Sequence, residues 1–127
     1  MSKLLSLILI VLVSVGVSAG ETLNCDLQQN FEGEVTGNSF QVEATDNPHG
    51  SMFMFNADKF AGVSGFVARI QRDNREFVVM NIYSQSLQVG SSSQHEVIAG
   101  SNQYFHHQLL LPSQGLALSG VIIDCQF

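Results

Sequence analysis

From Gly20 onward the chain repeats one pattern, apolar and polar residues alternating with a period of two, and nowhere keeps helical spacing through three turns. A backbone whose successive side chains point to opposite faces is a strand, so the alternation predicts an all-β domain. At its start Leu23, Cys25 and Leu27 share a face against Asn24, Asp26 and Gln28; at its end Val121, Ile123, Cys125 and Phe127 share another. Both cysteines, the only two in the chain, therefore face inward from opposite ends of the domain. A Cys25 to Cys125 disulfide is expected, joining the terminal strands and closing almost the whole domain. On the chain-entropy model such a bond is worth about 4 to 5 kcal/mol.

That bond needs an oxidising compartment, and the first 19 residues predict one. Lys3 opens them, Leu4 to Val15 form an apolar run, and Val17, Ser18 and Ala19 make a small-residue cleavage site, the layout of a secretory signal peptide cut after Ala19. The run is too short and too promptly followed by polar sequence for a stable membrane anchor. Asn24 before Cys25 does not suit lipoprotein processing. The expected product is a single secreted or periplasmic all-β domain, residues 20–127, large enough to bury about 65% of its unfolded surface without a metal.

Charge then excludes partners. The whole chain carries −6; with Lys3 removed, four basic residues against eleven acidic ones leave −7. Nucleic acid and anionic lipid both require a basic surface and are not expected to bind.

Turn signals divide the chain into hairpins. Gly37-Asn38 predicts a two-residue turn setting Val35 opposite Phe40, Gly33 opposite Val42 and Phe31 opposite Ala44. Asp73-Asn74 predicts a second, pairing Ile70 with Phe77 and Ala68 with Val79 on one face, Arg69 with Val78 and Val67 with Met80 on the other. Ser51 to Phe55 reads as a strand apolar on both faces. Gly62 and Gly65 mark a connection, Ser91 to Ser93 a mobile loop, Glu96 to Ala99 a short strand, Gln103 to Leu111 a longer one, and Pro112 to Gly115 a turn. Eight to ten short antiparallel strands follow, arranged as a β-sandwich or a small closed β-barrel. The expected core draws on Phe31, Val35, Phe40, Val42, Phe66, Ile70, Phe77, Val79, Phe105, Leu109, Val121 and Ile123.

Chemistry-bearing motifs are scarce. His106 and His107 are strand neighbours on opposite faces and cannot chelate one ion; His107, between Phe105 and Leu109, reads as a hydrogen-bonded core residue. His106 shares the polar face with Tyr104 and Gln108, a candidate ligand-contacting patch. His49 and His95 read as loop residues. Arg69, Arg72 and Arg75 gather at the second hairpin tip with Asp73 and Glu76, where arginine forks could capture a carboxylate or simply pair within the turn. Asp46 to Gly50 is turn chemistry without the spaced acids of a calcium loop. Gly62-Val63-Ser64-Gly65 lacks the spacing of a nucleophile elbow. No cofactor, metal site or catalytic set is expected. Without tryptophan there is no indole platform for sugars, and the chain is too short for an outer-membrane barrel despite its terminal Phe127.

The layout resembles that of many exported binding modules and of some periplasmic inhibitors of lysozymes or proteases, a likeness of architecture that assigns no residue. The leading expectation is a non-catalytic domain binding a protein or other macromolecule, an enzyme inhibitor being one version. A small-ligand carrier with an apolar barrel interior and a small hydrolase built from scattered residues are the alternatives. The expected contact surface is Val67, Val78, Met80 and Ile82 with neighbouring Met52 and Met54, rimmed by Arg69. Coverage of that face by a second sheet is the competing expectation, because both phases of these strands are apolar.

Overall fold

The computed structural model describes residues 22–45, 50–57, 62–112 and 119–127. The expected signal peptide, residues 1–19, His49 with most of the Asp46 to Gly50 turn, and most of the Pro112 to Gly115 turn lie outside them. Eight strands are formed: β1 (Leu23–Phe31), β2 (Glu34–Val42), β3 (Ser51–Asn56), β4 (Val63–Arg72), β5 (Arg75–Ser84), β6 (Val89–Glu96), β7 (Tyr104–Leu111) and β8 (Ser119–Gln126). They make two four-stranded sheets, ordered β2-β1-β8-β7 and β3-β4-β5-β6, with every neighbouring pair antiparallel. The domain is a β-sandwich, not a closed barrel.

The first and last strands lie side by side in the middle of one sheet. Cys25 and Cys125 are register partners there, bonded to each other with Cα atoms 4.1 Å apart and 100 residues of separation. Both point into the core, as the alternation requires. The inner faces meet through Leu23, Leu27, Val121, Ile123 and Phe105 from one sheet and Phe55, Val63, Val67, Val78, Met80 and Ile82 from the other. At Gly65 a Cβ would come within 2.5 Å of the Phe55 ring, so the absent side chain is what lets that ring lie across the strand.

The second hairpin turns where expected, with Asp73 and Asn74 both at positive φ and the four named pairs in register. The first does not. Its turn is Glu32-Gly33, both at positive φ, and Gly37 and Asn38 lie inside β2 opposite Gln28 and Leu27. The longer ladder wins because it spans nine pairs and sets Val42 and Phe40 beside Leu23 and Cys25, on the inward phase. Phe31 and Val35 are consequently exposed.

The phase of the second hairpin is also the reverse of the expected core. Val67, Val78, Met80 and Ile82 are fully buried, whereas Phe66, Ile70, Phe77 and Val79 are only half-buried, on the outer face. Of the expected core, Val42, Phe105, Val121 and Ile123 are buried, and Phe40 and Leu109 pack against them. Arg69 lies on the buried phase because partners for its charge converge from three places. Its Nε donates to Glu76 Oε1 at 2.8 Å, its Nη1 to the Val42 carbonyl at 3.1 Å, and its guanidinium sits 5.1 Å from the Phe127 ring centre.

The Ser91 to Ser93 run is not a loop: it forms the centre of β6, paired with β5, and His95 belongs to the same strand. The short strand expected at Glu96 to Ala99 is absent, since β6 ends at Glu96. His107 is buried, and its Nε2 donates to the Ser91 carbonyl at 2.8 Å, tying the two sheets along one side. On the other side Phe40 stacks on Phe53, ring centres 4.1 Å apart.

Candidate functional site

Two outer faces remain, and their chemistry is opposite. On the β2-β1-β8-β7 sheet, register places Ser39, Asp26, Asp124 and His106 in one row across four strands, with Gln41, Asn24, Gln126 and Tyr104 in the next. Asp26 and Asp124 stand directly opposite each other, an unfavourable like-charge pair. Donors on both flanks offset it. Ser39 Oγ donates to Asp26 Oδ1 at 2.6 Å, while the Tyr104 hydroxyl and His106 Nδ1 both meet Asp124 Oδ1, the latter at 2.5 Å. The Tyr104 and His106 rings lie 19° from parallel, and a shallow depression of about 710 Å³ extends over Tyr104, Asp124, Asp26 and Ser39. The hydrogen bond to Asp124, with lesser contributions from lost hydration and the charges of Asp124 and Asp26, holds the Tyr104 hydroxyl above the ordinary tyrosine range.

This row resembles the parts of a hydrolase without their geometry. Ser39 and His106 are separated by three inter-strand spacings, about 14 Å, far beyond proton-transfer reach. Among the described residues no three His, Cys, Asp or Glu side chains are grouped to hold a metal ion. The row can offer hydrogen bonds; it has no activated nucleophile.

The outer face of the β3-β4-β5-β6 sheet is apolar. Met52, Ala68 and Val79 form one row, Met54 and Phe66 the row beside it, and Ile70 with Phe77 the row on the other side. Met52 is 56% exposed and Met54 75%. Asn81 and Gln94 border the patch, and a depression of about 210 Å³ lies between Met54, Phe66 and Asn81. At its far corner Arg75 forks onto Glu96, Nε and Nη2 at 2.7 and 2.6 Å, with its guanidinium 5.3 Å from the Phe77 ring centre. Those hydrogen bonds raise the Arg75 pKa and lower that of Glu96.

The expected site residues are thus divided. Met52 and Met54 are exposed together; Val67, Val78, Met80 and Ile82, expected beside them, are interior, and Arg69 is a buried tie, not a rim. Arg72 and Arg75 stand at the hairpin tip, 75 paired with Glu96. Tyr104 and His106 do share a polar face, joined through Asp124. Asp26, Asp124 and Ser39 were not singled out by sequence, yet a Cys25 to Cys125 register sets residues 26 and 124 opposite each other. Among the described residues no helix is long and apolar enough to cross a membrane. Comparison of the chain with family models, curated proteins and solved structures finds no match.

Proposed function

We propose that this is an exported, non-catalytic binding module that docks a protein partner on the outer face of the β3-β4-β5-β6 sheet. The observation that carries the reading is the apolar outer face formed by exposed Met54 and Met52 and half-buried Phe66, Val79, Ile70 and Phe77, with Ala68 buried among them, on a sheet with its other side already buried. Patches of that kind, bordered by polar residues, favour protein contact, and methionine adapts its thioether to differently shaped partners. Inhibition of a partner enzyme by covering its active site is one concrete form of the activity. The signal-like residues 1–19 and the disulfide support export to the periplasm or medium.

The test is capture from the native exported fraction with the wild-type protein and with Val79→Asp, which puts a charge at the centre of the patch. Wild type should retain a specific protein and Val79→Asp should lose it, with folding checked by circular dichroism. Equal capture by both removes the face from the reading, and no specific capture by wild type removes the reading itself.

A further inference from the structure

The two sheets have four edge strands, β2, β7, β3 and β6, and each edge presents backbone groups that another chain could pair with. Proteins blunt such edges with charge, glycine, proline or cover. β2 carries Glu34 and a central Gly37; β6 is polar and ends on His95 and Glu96; β7 carries His106 and His107 and is tied to β6 through Ser91. β3, Ser-Met-Phe-Met-Phe-Asn, carries no charge, glycine or proline, has no cover among the described residues, and is apolar on both phases.

We infer that β3 is the pairing edge of a symmetric dimer, in which two copies of this chain join β3 to β3, antiparallel, into one continuous eight-stranded sheet. A two-fold axis normal to the sheet and centred on Phe53 keeps outer phase with outer phase. Met52 of each copy then faces Met54 of the other, and the two Phe53 side chains face each other. The residues so covered are among the exposed apolar side chains of the single chain: Met54 at 75%, Met52 at 56% and Phe53 at 37% exposure.

Charge favours the same edge. Each copy carries −6 over its whole sequence, so two copies repel wherever acidic groups approach. β3 holds no charged residue, and its outer-face neighbours on β4, Phe66 and Ala68, are neutral. Pairing at β3 brings no charged strand residue against another, and salt should tighten it by screening the repulsion between the two acidic copies. The dimer would merge the two outer faces into a wider apolar surface, and it stands independently of which protein docks there.

Sedimentation of the full chain, expressed with its own N-terminal segment, tests this without any partner. A dimer is expected, tightening as salt is raised, and Met54→Lys should weaken it by about tenfold or more. The melting temperature of the separated chain should be unchanged, because Met54 makes no core contact. Mixing Met52→Cys with Met54→Cys should give a disulfide-linked pair more readily than either variant alone. A monomer at every accessible concentration, or a dimer that Met54→Lys leaves intact, overturns the inference. A monomer that still captures a protein through the Val79 face leaves the binding module standing and removes only the self-pairing.

Discussion

Replacing Arg69 by Met tests whether the buried guanidinium holds the sheets together. Arg69 is 2% exposed and its partner carboxylate on Glu76 only 15%, so removing the cation leaves an almost buried anion without its ion-pair partner. That loss is worth about 3 to 5 kcal/mol. Methionine preserves the packing of the aliphatic stem, so the loss reports the charge and its hydrogen bonds instead of a cavity. In urea with the disulfide intact, a slope of about 2 kcal/mol per molar converts this into a midpoint lower by about 2 M. Arg69→Met combined with Glu76→Gln should recover most of it, since a neutral pair leaves no uncompensated charge. A single-variant loss below about 1 kcal/mol, or no coupling between the two sites, would refute the account.

Met80→Ala should cost about 2 to 5 kcal/mol by denaturant titration because Met80 is fully buried. Phe77→Ala, half-exposed on the outer face, should cost only about 1 to 2 kcal/mol despite its larger side chain. Reduction of the Cys25 to Cys125 bond should lower stability by about 4 to 5 kcal/mol, measured by denaturation with and without reductant. In a Tyr83→Phe background, leaving Tyr104 as the chain's one tyrosine, phenolate absorbance should rise above the usual pH of about 10, and Asp124→Asn should bring it back down. The raised pKa belongs to the folded state, so the Tyr104 to Asp124 contribution is present below the ordinary tyrosine pKa. It is lost as pH climbs through the raised value.

The period of two and the inward phase of both cysteines made the strands and the disulfide legible. What escaped was relative. Val67 and Phe66 are equally apolar neighbours, and the choice between their phases turned on whether Arg69 faces water. Its burial depends on Glu76, the Val42 carbonyl and the Phe127 ring, which only folding brings together. The Glu32-Gly33 turn was hidden because Gly37-Asn38 offers a similar turn signal five residues further on, and the longer ladder decided between them. The polar row was half visible: Tyr104 and His106 follow from β7 alone, whereas their meeting at Asp124 requires β8 beside it.

β1 and β8 being neighbours in the middle of one sheet also fixes when the domain can complete itself. If the chain is exported from its N-terminus, as proposed above, β1 and β2 can pair early, but β7 has no neighbour in its sheet until β8 arrives. The part of that sheet's inner face made by Val121 and Ile123, and the sulfur that Cys25 bonds, come from the last residues to emerge. Export, if it occurs as proposed, would deliver a chain with one cysteine waiting and that sheet incomplete until translocation finishes. Oxidation of Cys25 to Cys125 would then mark the end of delivery, and a chain truncated before β8 should remain open to proteases throughout.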